Sequence, residues 1–262
     1  MSTRSLITMS KPDASMKLTY EELVGKIIKR YDTEFNTLRN QQLFIGIGGG
    51  PGSGKSTLSE EIVKMINDKR PDTAVVLPMD GFHYTRAELR EMGSSNIIIG
   101  DPESNTSSFT SFEDLLARRG SPWTFDAPSI IREFSKVRNN GNGYLPVYSR
   151  QISDPVQDGV ELKSSHQIVL LEGNYLLCYS DPTWQPLEDI FDWKLYISCM
   201  SIEDQRERLI KRHLETWSEE KTKMWGEGRN GAAAKADAND VKNAYWVDEM
   251  SRKHADLIIE SK

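Results

Sequence analysis

The stretch Leu43-Phe-Ile-Gly-Ile-Gly-Gly-Gly-Pro-Gly-Ser-Gly-Lys-Ser-Thr57 limits what this chain can fold into more than any other. Its apolar start, Leu43 to Ile47, reads as a buried strand, and Thr57 to Ile66 has helical spacing. Between them, Gly49, Gly54, Lys55 and Ser56 fit the G-x-x-x-x-G-K-[ST] phosphate loop, with Gly50, Pro51, Gly52 and Ser53 as its interior. Glycines let backbone N–H groups approach a phosphate chain, and the start of the helix near Thr57 adds partial positive charge. Lys55 is expected to reach the β- and γ-phosphates of a nucleotide, and the Ser56 hydroxyl to bind Mg²⁺. A glycine-rich turn without a ligand is the competing reading. The order strand, motif, helix weighs against it.

Further apolar runs alternate with helical patterns. Thr73 to Met79, Gln167 to Leu171, Trp193 to Ser198 and Ala255 to Ile259 read as buried strands. Alternation of this kind predicts an α/β fold, a P-loop-type parallel β-sheet flanked by helices on both faces. Before the loop, Thr19 with Glu22 reads as a capping box and Leu18 with Leu23 as a staple for a helix through Tyr31. Residues 1–11 read as a flexible end, and residues 1–41 as a tail and helix packed on a core of residues 42–262. Gly93 to Ser111 is polar and turn-rich and reads as a surface loop or lid. Phe112 to Arg119 reads as helical, Asp126 as the cap of a helix reaching about Val137, and Tyr144 to Tyr148 as a short extended piece. Ser201 reads as the cap of a long helix. Ser218 to Ala236 has the composition of a mobile segment, with a lid expected at about 213–236, and Asn239 to Met250 reads as helical.

Composition narrows the partners. A net charge of −6 gives no basic footprint for nucleic acid. No apolar run is long enough to span a bilayer. The only two cysteines, Cys178 and Cys199, both sit in apolar contexts. A reducing, cytoplasmic compartment is therefore expected, with the protein a monomer or homodimer. No zinc-ligand spacing occurs.

Three features bear on what happens to a bound nucleotide. Asp80 follows a strand, where a carboxylate can accept a proton from a substrate hydroxyl; a turn or cap role is the alternative. Glu172 follows Ile168 to Leu171 and can hold Mg²⁺ as a Walker B acid, or can be a turn acid before Gly173. Arg208 and Arg212 lie four apart and share a helix face, so they can neutralise the transferring phosphoryl oxygens or form a solvated basic face among glutamates. His83 stands near Asp80 and is either substrate-contacting or structural. The chain has no N-K-x-D guanine-reading motif, which favours ATP as the nucleotide.

The segments Pro78-Met-Asp-Gly-Phe-His83, Arg118-Arg-Gly-Ser-Pro-Trp-Thr-Phe-Asp126, Leu171-Glu-Gly-Asn-Tyr-Leu-Leu177 and Arg208-Leu-Ile-Lys-Arg-His213 resemble those of the phosphoribulokinase, uridine kinase and pantothenate kinase group. The likeness runs from about Leu43 to Ile259 and is strongest to fungal uridine kinase-like, ATP-dependent kinases. It implies that Asp80 is the catalytic base and a neighbour of the metal, and that Glu172 is the Walker B acid. It also implies that Arg208 and Arg212 lie on the helix leading into the lid. Arg119 and Asp126 would lie on the segment lining the acceptor pocket, Tyr148 on a substrate-contacting piece, and Asn243 close to adenine. Relatives commonly carry histidine where this chain has Arg150, and a fixed cation there suits an acidic or phosphorylated acceptor. The expectation is a small-molecule kinase using ATP and Mg²⁺. Uridine/cytidine kinase proper is the alternative within the class, and an ATP-binding regulatory switch the alternative outside it.

Overall fold

A computed structural model gives the structure of residues 5–9, 14–35, 41–94, 99–100, 108–109 and 111–261. The apolar run of the opening motif is strand β2 (Leu43–Gly48), buried along its whole length. Successive side chains in a strand face opposite ways. Accordingly Leu43, Ile45 and Ile47 join one apolar cluster, with Leu23, Ile27, Leu58 and Ile62, while Phe44 joins another, with Phe134, Leu171, Tyr175 and Trp184. Both faces of the sheet are thus covered. One is covered by α1 (Ala14–Arg30) and α2 (Lys55–Lys69), the other by α5 (Ala127–Asn140) and α9 (Val241–Ser251).

Five further strands complete the sheet: β1 (Ser5–Met9), β3 (Ala74–Pro78), β8 (Ile168–Gly173), β9 (Trp193–Cys199) and β10 (Leu257–Ser261). The order is β1-β10-β9-β2-β8-β3 and every pairing is parallel. β2 therefore lies at the centre, and its C-terminal end opens where ligands of such sheets sit.

Two expectations for the N-terminal region are corrected. Ser5–Met9 is a sheet strand, paired residue for residue with Leu257–Ser261, where the sequence read as a flexible end. Its partner lies at the other end of the chain, so no local pattern announces it. Helix α1 begins at Ala14, so Thr19 lies inside the helix and is not its cap.

Beyond α3 (Arg86–Ser94), the short strands β4 (Ile99–Gly100) and β5 (Ser108–Phe109) pair antiparallel. The rest of the expected Gly93–Ser111 loop or lid falls largely outside the described residues. Helix α4 (Phe112–Ala117) leads to Asp126, whose side chain accepts from the Ser129 N–H and caps α5 as expected. Tyr144 to Tyr148 is part of a hairpin, β6 (Gly143–Ser149) with β7 (Asp154–Leu162), which lies outside the main sheet. Ser201 caps α6 (Ile202–Glu215). The segment that read as mobile is helical, α7 (Glu219–Trp225) and α8 (Gly228–Lys235); Ala232 and Ala236 pack on Leu209 and Ile210 of α6.

Candidate active site

The phosphate loop joins β2 to α2. Gly54 directly precedes the helix with φ 93°, a left-handed backbone that favours glycine. The loop is braced from within by Ser53 N–H donating to the Gly50 carbonyl at 3.1 Å. It is braced from outside by the Gln205 side chain of α6, which donates to the Pro51 carbonyl at 2.7 Å. Ser53 Oγ is buried without a hydrogen-bond partner. Lys55 is 9% exposed, and its ammonium makes no hydrogen bond or ion pair among the described residues. Burial pushes its ammonium pKa down, while Glu172 and Asp80 pull it up. An unpartnered hydroxyl and an unpaired buried cation at a helix N-terminus fit a polyphosphate, which would satisfy both. Thr57 lies in the first turn of the same helix.

Sheet register brings the next group together. Glu172 on β8 lies level with Ile47 of β2 on one side and Pro78 of β3 on the other. The three strands thus deliver Ser56, Glu172 and Asp80 to one end of the sheet. Ser56 Oγ donates to Glu172 Oε2 at 3.1 Å. Burial raises the Glu172 carboxyl pKa to about 7; Lys55 and the Ser56 hydroxyl oppose the rise and Asp80 adds to it. A buried carboxylate so far from its ordinary range gains from a bound cation. Among the described residues no group of three His, Cys, Asp or Glu forms a cage for a metal. One carboxylate and one hydroxyl beside a phosphate site nevertheless suit Mg²⁺, which takes few protein ligands and completes its shell with phosphates and water.

Asp80 sits on a tight turn, Met79–Phe82, directly after β3. The turn is clamped against the hairpin. A Cβ at Gly81 would collide with the backbone carbonyl of Pro146, so only glycine permits this approach. His83 Nδ1 donates to the Asp80 carbonyl at 2.8 Å. Its ring lies 3.8 Å from that of Phe125 and 5.1 Å from that of Tyr148. Burial pushes the His83 pKa down, which favours neutral imidazole with Nε2 as an acceptor. Arg119 fastens the far side of the hairpin. Its guanidinium donates to the Tyr84 carbonyl, Asp154 Oδ1 and the Ser153 carbonyl at 2.7, 2.7 and 2.5 Å. Burial pushes the Tyr148 hydroxyl pKa up.

These walls enclose a cavity of about 560 Å³ that Lys55, Ser56, Asp80, His83, Arg119, Tyr148, Arg150 and Arg212 all line. Its volume suits a small ligand beside a phosphate chain. Residues not singled out as site residues also line it: Asn174, two positions beyond Glu172, and Lys221 and Trp225 of α7, within the lid expected at about 213–236. The position of Asn174 in Glu172-Gly-Asn174 was the available signal. For α7 the lid expectation was the signal, but its polar composition pointed to no individual residue.

Three expected site residues do not line this cavity. Arg208 and Arg212 leave the same helix, but the Arg208 guanidinium turns to Ser261 Oγ at 2.8 Å and Cys199 Sγ at 3.5 Å. Only Arg212 lines the cavity, 3.7 Å from Asp240 Oδ1. The Asp126 carboxylate is occupied by the α5 cap, accepting from Ser129 N–H at 3.0 Å and from Ser129 Oγ at 2.5 Å. Asn243 is buried and donates to the Gly120 carbonyl at 3.2 Å, on the side of the Arg119 turn.

Comparison with known proteins agrees with this architecture. A candidate uridine kinase of Schizosaccharomyces pombe is 32% identical over 262 residues, covering 97% of this chain and 94% of that protein. A pantothenate kinase of Ligilactobacillus salivarius is 28% identical over 172 residues, 64% of this chain and 49% of that enzyme, so the likeness spans about half of its length. The crystal structure of a candidate fructose transport system kinase from Silicibacter sp. superposes with a TM-score of 0.70 at 26% identity, covering 91% of this chain and 98% of that one. No family model matches the chain.

Proposed function

The chain belongs to the uridine kinase and pantothenate kinase group of P-loop kinases and is an ATP-dependent small-molecule kinase, and we propose that its reaction moves the γ-phosphate of ATP to a hydroxyl held beside Asp80. One observation carries this reading. Asp80 lines the same cavity as Lys55 and Ser56, on a turn fixed by Gly81 against Pro146, where a bound hydroxyl would face the end of a phosphate chain.

The geometry supports the following roles. The loop amides and Lys55 hold the phosphates. Asp80 accepts the hydroxyl proton and orients the oxygen for in-line attack. Arg212 stands where it can offset charge on the transferring oxygens. Tyr148 and His83 form the wall against which the acceptor rests. Ser56 and Glu172 would hold Mg²⁺, which when bound neutralises charge on the phosphate oxygens.

The Schizosaccharomyces pombe relative is named for uridine, which makes uridine the first acceptor to test here. ADP release measured with and without nucleosides, sugars, sugar acids and pantothenate tests the proposal. Marked stimulation by one compound supports a kinase with an acceptor site. Slow hydrolysis unaffected by every compound would instead point to a nucleotide switch.

A further inference from the structure

Of the acids that line the cavity, Asp80 is the proposed base and Glu220 is paired with Arg86 at 2.8 Å. Asp240 has no part in the reaction as described so far. Its side chain is 13% exposed. Oδ2 lies 2.8 Å from His213 Nε2, and Oδ1 lies 3.7 Å from the Arg212 guanidinium. Burial pushes the Asp240 carboxyl pKa up, but the His213 hydrogen bond and the charges of Lys235 and Arg212 more than offset it, so the group is held ionised. Burial pushes the His213 pKa down, which leaves its imidazole neutral. The carboxylate has no proton to give, so His213 Nε2–H is the donor.

The carboxylate is fixed from the acceptor side. Between α8 and α9 the backbone widens into a single π-turn, Ala236–Asp240. Such turns recur at functional sites. Next to Asp240, the buried Asn239 donates to the Arg119 carbonyl at 3.1 Å and accepts from the Ser121 hydroxyl at 2.8 Å. Arg118 donates to the Ala238 carbonyl at 2.7 Å. Residues 118–121 thereby grip the π-turn, while the Arg119 side chain holds the hairpin that walls the acceptor space. Arg212 thus faces a carboxylate anchored to the acceptor wall, and its placement does not depend on α6 alone.

A purely structural tie between α6 and the π-turn is the plain alternative. A neutral asparagine would accept from His213 just as well. A carboxylate inside a phosphate site repels the ligand unless a cation answers it, so its charge calls for a second reason. The 3.7 Å separation from Arg212 is too long for a hydrogen bond but short for an ion pair. Asp240 therefore attracts the guanidinium by charge and leaves its N–H groups free for phosphoryl oxygens.

We infer that Asp240 is a positioning residue: it holds the Arg212 guanidinium in the cavity facing the phosphate chain, and His213 fixes the carboxylate that does so. This rests on the kinase reading above, in which Arg212 offsets charge on the transferring oxygens.

The test is a double-variant cycle. ADP release is measured with ATP, Mg²⁺ and the compound of the acceptor panel that stimulates it most. The chains are the native one, Asp240→Asn, Arg212→Gln and their combination. Lys235→Gln, alone and with Asp240→Asn, tests the rival cation. Asparagine keeps an oxygen for His213 and removes the charge; Asp240→Ser is a second neutral variant should asparagine prevent folding. Asp240→Asn should lower kcat about 10- to 100-fold, the cost of a misplaced group, with the KM of ATP and of the acceptor within about twofold. Asp240→Glu should recover part of that loss. Arg212→Gln should lower kcat about 10²-fold or more, and adding Asp240→Asn to it should cost nothing further. Added to Lys235→Gln, Asp240→Asn should cost its full factor. An unchanged kcat in Asp240→Asn, a loss confined to KM, losses that multiply with Arg212→Gln, or coupling to Lys235 instead would each overturn the inference and leave the kinase intact. If Arg212→Gln turns over normally, or if no compound stimulates release, the reading beneath the inference falls and this inference with it.

Discussion

The Ser56 hydroxyl donates to the Glu172 carboxylate at 3.1 Å across 116 residues of chain. The contact ties the start of α2 to the end of β8, so the phosphate loop and the acid that would face the metal form one unit. In the absence of a cation Ser56 partly satisfies a buried charge, and the same pair suits Mg²⁺ when nucleotide arrives.

Asp80→Asn should keep the turn, because the backbone contacts of Gly81 and His83 do not involve the carboxylate. Turnover should fall by at least about 10²-fold, as expected for loss of a general base, with ATP affinity close to that of the native chain. Retained turnover would remove Asp80 from the mechanism.

Lys55→Ala removes a buried cation that no described protein group pairs. A charged hydrogen bond contributes about 1.5–3 kcal/mol, so ATP should bind at least about tenfold more weakly. Titration of nucleotide binding by calorimetry reads this directly. Unchanged affinity and transfer would mean that the loop does not hold the phosphates.

Glu172→Gln makes a pH-dependent prediction for the nucleotide- and metal-free chain. The Glu172 pKa is raised from 4.5 to about 7, so between those values the folded chain holds a proton that the unfolded chain releases. This group's contribution therefore becomes less favourable as pH rises from 4.5 to about 7 and is constant above. The glutamine variant should melt at a higher temperature than the native chain at pH 8, with the difference vanishing by pH 5. A gap independent of pH would show that the carboxylate is not held protonated by its surroundings.

Arg119→Lys tests the hairpin anchor. The guanidinium reaches Tyr84, Ser153 and Asp154 at once, from a side chain that is 9% exposed. An ammonium on a flexible stem cannot reproduce that fork. Unfolding by urea should show a loss of about 2–3 kcal/mol, and the KM for the acceptor should rise more than that for ATP.

What the sequence revealed was mostly local. The strand, glycine turn and helix around Lys55 are contiguous, and the caps Asp126 and Ser201 act three residues ahead, so both could be read from spacing. The parallel sheet followed from apolar runs buried on two faces. Where distant residues decide the outcome, spacing failed. Arg208 and Arg212 share a helix face, but Ser261, 53 residues away, draws Arg208 from the cavity. The β7 half of the hairpin, Asp-Pro-Val-Gln-Asp-Gly-Val-Glu-Leu, is largely solvent-facing and carries no apolar run. Its pairing with β6 is irregular between Leu145 and Val147, which blurs the alternation further.

The approach of Gly81 to the Pro146 carbonyl joins backbone to backbone, and therefore specifies no side chain on the hairpin beyond that point. Arg150, beyond the strand, can be exchanged without touching that approach, whereas Tyr148 packs on His83, which braces the Asp80 carbonyl. Such an arrangement separates chemistry from selectivity within a single cavity. It gives descendants of one enzyme a route to new acceptors by altering a hairpin tip while the transfer apparatus stays as it was.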